Sequence, residues 1–139
     1  MAAVLVVEDE PIVRMDAAMT LEDEGFEVIE AATARAALAM LEKRHGEVVA
    51  LFTDVDMPGD MDGLELAGIV HHRWPNIAIL VTSGVVRVSA SLPGGGVFLP
   101  KPYSTTTPVR IIRDLVRRSS SEKAQTPAPG EVDTAIRSC

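Results

Sequence analysis

The sequence predicts an α/β fold, a doubly wound parallel sheet of five strands. Three observations predict it. Short apolar runs of strand length alternate with longer helical segments along the chain, which is the pattern of right-handed strand–helix–strand crossovers. The runs are continuously apolar rather than alternating, as strands covered on both faces must be. The chain has 139 residues, enough for one domain that closes a hydrophobic core without staples.

Residues 3–7, AVLVV, make the first strand, and Pro11 then suits the first turn of a helix, IVRMDAAMTLEDE, that stops at Gly25. Residues 26–31, FEVIEA, make the second strand. Thr33 is the N-cap of the next helix, ARAALAMLEKR, whose residues are mostly strong helix formers before His45-Gly46. Residues 48–53, VVALFT, form a third strand ending at Asp54. After a Pro/Gly/Asp loop, LELAGIVHHRW reads as a helix halted before Pro75. Residues 77–82, IAILVT, and 97–99, VFL, supply the fourth and fifth strands. In the last helix Val109, Ile112 and Val116, with Ile111 and Leu115, form an apolar stripe opposite Arg110, Arg113 and Arg117. From residue 119 the chain is rich in Ser, Pro and Ala and poor in apolar residues, so the domain is expected at 1–118 and a disordered tail at 119–139.

The formal charge is −7, from 20 acidic and 13 basic residues, which argues against direct nucleic-acid binding and against an anionic membrane surface. That charge is uneven. Through Glu65 there are 16 acidic residues against 4 basic, whereas residues 66–118 carry one acid, Asp114, against 7 basic. The one cysteine, Cys139, allows no internal disulfide, and the start, MAAVLVVEDEP, lacks the basic segment of a signal peptide. A soluble cytoplasmic protein is expected.

Doubly wound sheets place ligands beyond the carboxyl ends of their strands. The acidic run Glu8-Asp9-Glu10 follows the first strand, Asp54 closes the third, Thr82 the fourth, and Lys101 lies just past the fifth, so all four should meet at one edge. Clustered carboxylates repel and suit a hard cation. Magnesium in particular is held by one or two carboxylates together with waters and a phosphate. An aspartate beside such a cation can act as a nucleophile toward phosphorus, while an ammonium and a hydroxyl hold the other phosphoryl oxygens. Lone features read more plainly. Glu10 favours the helix dipole, His71 and His72 form a solvated pair, Trp74 anchors a helix end, and the arginines of the last helix are a solvated face or greet an acidic partner.

Four motifs in this order, VVEDE at 6–10, DVDMPGDMDG at 54–63, VTSG at 81–84 and FLPKPYS at 98–104, resemble the receiver domain of two-component response regulators, a flavodoxin-like fold, over nearly the whole domain. The resemblance implies a stand-alone phosphoryl acceptor that depends on Mg2+. In it Asp54 is the phosphoacceptor, Asp9 a direct metal ligand, Glu8 a ligand through water, and the backbone carbonyl of Asp56 a further ligand. Lys101 would pair with the phosphoryl group, Thr82 would move its hydroxyl onto it, and the Lys101–Pro102 bond would be cis. Phe98 stands at the family's aromatic switch, against the alternative of plain core packing. The implied phosphodonor is a histidine kinase or histidine phosphotransfer protein. The output would be binding to an unknown downstream protein or drainage of phosphate from a shared kinase, with pairing into a homodimer left open and catalysis limited to the chain's own phosphorylation and dephosphorylation.

Three departures stand out. The loop MPGDMDG is one residue longer than the commoner MPxMDG, Ser83 stands where alanine or glycine is preferred, and VVRVSASLPGGG at 85–96 predicts a short or missing fourth helix. Two other readings compete. Residues 54–65, DVDMPGDMDGLE, match a calcium-binding EF-hand loop at Asp54, Asp56, Gly59 and Glu65, but Pro58 offers no ligand and a strand precedes the loop. The order DVD, strand-end Thr/Ser, lysine also resembles haloacid-dehalogenase-like phosphatases. Those enzymes need a further acidic motif after the lysine, where this domain has only Asp114.

Overall fold

The computed structural model describes residues 2–84, 92 and 96–125. Five parallel strands, β1 (Ala3–Val7), β2 (Glu27–Ala31), β3 (Val48–Asp54), β4 (Ala78–Ser83) and β5 (Val97–Pro100), pair in the order β2-β1-β3-β4-β5. Among the described residues four helices connect or follow them: α1 (Pro11–Asp23), α2 (Ala34–Arg44), α3 (Gly63–Arg73) and α4 (Thr107–Gln125). The doubly wound flavodoxin-like order is the one predicted. Its direction reverses between β1 and β3, and a crevice opens at that switch point.

Alternation along the strands divides the core. Val4, Val6, Ala50, Phe52, Leu80 and Leu99 face α1 and α4, where Leu21, Val109 and Ile112 meet them. Ala3, Leu5, Val7 and Leu51 face α2 and α3 through Leu41, Leu66 and Val70. Burial of β1 on both sides is complete, which is why it reads as an unbroken apolar run.

Side chains mark the helix ends. The Glu10 carboxylate accepts from the Ile12 N–H at 3.0 Å ahead of Pro11, and Gly25 ends α1 at φ +96°, which suits glycine. Thr33 Oγ1 accepts from the Ala36 N–H at 3.0 Å. Asp62 and Glu65 form a reciprocal capping box at the start of α3. Trp74 closes α3, stacking on His45 at 5.5 Å while the Arg73 guanidinium lies 4.4 Å from its ring centre.

A 3-10 turn, His45–Glu47, follows α2, and α4 continues past residue 118 to Gln125. The expected shortening of a fourth helix falls on residues 85–91 and 93–95, outside the described residues, as do residues 126–139 of the expected tail.

Candidate functional site

The site lies at the carboxyl edge of β1, β3, β4 and β5. β1 ends at Val7, and the turn after it is fastened from both sides. The Glu8 N–H donates to the Ala31 carbonyl at 3.1 Å, and Arg14 donates to the Glu8 carbonyl at 2.7 Å while pairing with Glu30 at 3.1 Å. One carboxylate oxygen each from Glu8, Asp9 and Asp54 come together within 4.8 Å. Glu8 and Asp54 are buried, at 7% and 5% exposure, and Asp9 is exposed.

Asp54 is set by its backbone neighbours. The Val55 N–H donates to the Thr82 carbonyl at 2.9 Å, and the Asp56 N–H to Asp54 Oδ1 at 3.3 Å. Gly63 makes this packing possible, because a Cβ there would overlap the Asp54 carbonyl oxygen. From β5, Lys101 places Nζ 3.3 Å from Asp54 Oδ2 and 3.6 Å from Glu8 Oε1, and its peptide bond to Pro102 is cis. Thr82 is buried, and its hydroxyl donates to the Leu99 carbonyl at 2.6 Å.

The electrostatics follow from this crowding. Burial, with the charge of Asp54 adding to it, raises the Glu8 carboxyl above its ordinary range, against the opposing Glu10 N–H bond and the Lys101 charge. Burial alone would lower the Lys101 ammonium, but Asp54 and Glu8 outweigh it and the group titrates above its ordinary value. Three carboxylates therefore face one ammonium. An all-oxygen donor set with surplus negative charge fits a hard divalent cation such as Mg2+.

The structure thus brings together Glu8, Asp9, Asp54, Thr82 and Lys101, as the strand-end argument expects. Phe98 sits apart from the carboxylates. It is half-buried against the apolar cluster of Val55, Ala67, Ile79, Val81 and Leu92. The Asp56 carboxylate also stays out of the cluster: its Oδ2 accepts from the Ser83 hydroxyl at 2.7 Å. That contact was not foreseen, and the only signal for it was the unusual polar residue after Thr82. Tyr103 was missed too. It lines a small cavity with Glu8, Asp54, Thr82, Val13 and Phe52, and burial raises its phenol above the ordinary range.

Both competing readings lose their residues. Glu65, which would close a calcium loop, spends its carboxylate on the Asp62 N–H at 3.0 Å, and the segment before Asp54 is strand β3. Asp114, the one acid after the lysine within residues 66–118, pairs with Arg118 one turn on along α4.

Comparison with known proteins agrees with this geometry. Residues 4–113 match the family model of the response regulator receiver domain. The chain is 35% identical over 121 residues to the sensor kinase CckA of Brucella abortus (strain 2308), covering 84% of this chain and 13% of that protein. It spans 13% to 52% of the lengths of the first three relatives matched. A CheY-like response regulator receiver domain protein from Methanospirillum hungatei JF-1 superposes with a TM-score of 0.79 at 26% identity, covering 88% of this chain and 98% of the other. The response regulator protein TrrA from Thermotoga maritima, in complex with Mg(2+)-BeF, has a TM-score of 0.73 at 25% identity, covering 83% and 99%. With a buried aspartate, two neighbouring acids and a lysine meeting at the switch point of this sheet, the chain belongs to the response regulator receiver domain family.

Proposed function

We propose that this chain accepts a phosphoryl group on Asp54 and passes the signal on through a change of shape. The observation that carries the reading is Lys101 Nζ at 3.3 Å from a buried Asp54 that shares its site with Glu8 and Asp9. An Asp54 carboxylate oxygen attacks phosphorus, the bond from phosphorus to the donor breaks, and the donor leaves with that electron pair. With acetyl phosphate the leaving group is acetate. With a phosphohistidine the imidazole nitrogen leaves and takes up a proton. Water later attacks phosphorus, releasing inorganic phosphate and restoring Asp54, so the chain catalyses only its own phosphorylation and dephosphorylation.

Glu8, Asp9, Asp54 and the Asp56 backbone carbonyl would hold Mg2+, which when bound neutralises charge on the incoming phosphoryl group. The Mg(2+)-BeF complex of TrrA supports this assignment. Lys101 keeps its ammonium at the site across the physiological range, because its neighbours hold it charged. It thus offers a fixed positive charge to the transferred group with no proton to move. The Thr82 hydroxyl gives up the Leu99 carbonyl and turns to the phosphoryl oxygen, while Phe98 repacks among Val55, Val81 and Leu92. Those shifts bias an equilibrium between two conformations.

The donor in this reading is a histidine kinase or histidine phosphotransfer protein in the cytoplasm, and the receiver of the signal is another protein. Among the described residues no helix is long and apolar enough to cross a membrane. Incubation with acetyl phosphate and Mg2+ tests the reading. The wild-type chain gains one phosphoryl group by intact mass, and Asp54→Asn gains none; uptake by Asp54→Asn sinks it.

A further inference from the structure

The Asp56–Ser83 contact has no part in the phosphoryl-transfer steps above, yet it closes a ring around the acceptor. The Ser83 hydroxyl donates to Asp56 Oδ2 at 2.7 Å, and the Asp56 N–H donates to Asp54 Oδ1 at 3.3 Å. Lys101 Nζ meets Asp54 Oδ2 at 3.3 Å, and the Lys101 N–H returns to the Ser83 carbonyl at 3.0 Å. Ser83 is 2% exposed and fixed in β4, whereas Asp56 lies exposed in the loop between β3 and α3. The buried partner therefore positions the exposed one.

The position it imposes matters for the cation. Asp56 is a further acid at this edge, and its N–H donates to Asp54 Oδ1 at 3.3 Å, which sets its backbone beside the acceptor. Held on Ser83, it stays out, and among the described residues Glu8, Asp9 and Asp54 gather within 4.8 Å. The number of oxygen ligands, together with the size and flexibility of the site, sets which cation is preferred. Mg2+ is six-coordinate and keeps several waters, whereas Ca2+ takes six to eight oxygens and gains from each added carboxylate.

Resting on the Mg2+ reading above, we propose that Ser83 is a positioning residue that sets cation specificity, holding the Asp56 carboxylate away so that the site keeps three carboxylates and favours Mg2+ over Ca2+. A hydrogen bond to a charged group has to be given up before Asp56 can join the site, which corresponds to about tenfold in affinity.

Calorimetric titration of the full chain with Mg2+ alone and with Ca2+ alone tests this, in wild type, Ser83→Ala, Asp56→Asn and the double variant. Thermal unfolding of each confirms that it folds. In Ser83→Ala the freed carboxylate joins, and the ratio of Ca2+ to Mg2+ affinity rises about tenfold. In Asp56→Asn and in the double variant, which have no carboxylate to release, the ratio stays at the wild-type value. An unchanged ratio in Ser83→Ala overturns the proposal, and so does a rise that persists in the double variant. Phosphoryl uptake is not the readout, so a chain that shows the shift without phosphorylation at Asp54 would refute the functional reading and leave the role of Ser83 standing. A wild-type chain that binds neither cation overturns both.

Discussion

At the scale of single residues, the site is a balance of charges that have been taken partly out of water. Glu8 illustrates its cost. Its carboxyl is raised in the folded chain, so the folded state prefers the protonated form; the stability this contributes is present below the ordinary value of 4.5 and is lost as pH rises through the raised value. At neutral pH a charged Glu8 is therefore a burden on the cation-free protein. Glu8→Gln should raise the melting temperature in chelator while weakening Mg2+ binding. A lower melting temperature in chelator would contradict this. Lys101 has the opposite character: its folded value is raised, so its contribution is complete below 10.5 and is lost as pH rises through that raised value, well outside the working range. Asp54 and Lys101 were legible in the sequence because each stands at a strand end and topology alone brings strand ends together. The Ser83–Asp56 pair was not. It links residues 27 apart through a loop whose path no periodicity encodes.

At the scale of elements, strands buried on both faces declare themselves as apolar runs, and Thr33 declares the start of α2, whereas Glu10, read from sequence only as favoured by the helix dipole, is the N-cap of α1. The cap of α3 was harder to read. Asp62 lies within an acidic stretch that also matches a cation loop, and only the structure shows its carboxylate accepting from the Glu65 N–H at 2.9 Å. Its role is thus separable from the cation site. Asp62→Ala should cost about 1 kcal/mol in urea unfolding, Asp62→Asn should cost only a few tenths, and Mg2+ affinity should stay at the wild-type value in Asp62→Asn. A marked fall in Mg2+ affinity in Asp62→Asn would place Asp62 among the ligands. The 3-10 turn at His45–Glu47 left no trace in the pattern, since three residues are too short to show a period.

At the scale of the whole molecule, the uneven charge acquires a place. Of the acidic excess in the first 65 residues, Glu8, Asp9, Asp54 and Asp56 gather at one edge of the sheet, while Asp60, Glu30 and Glu47 pair with Arg35, Arg14 and Arg44 on the surface. Filling that edge with a cation should therefore stabilise the entire fold. Mg2+ at one hundred times its dissociation constant should add about 2.7 kcal/mol to unfolding, and Asp9→Asn should lose most of that gain. Melting curves that coincide in Mg2+ and in chelator would argue against the site. The central claim is chemical: an acyl phosphate forms on Asp54. Borohydride reduction of the chain after incubation with acetyl phosphate and Mg2+ converts an aspartyl phosphate to homoserine, which peptide mass spectrometry locates. The account predicts homoserine at position 54 and at no other aspartate; homoserine elsewhere, or none at all, would contradict it.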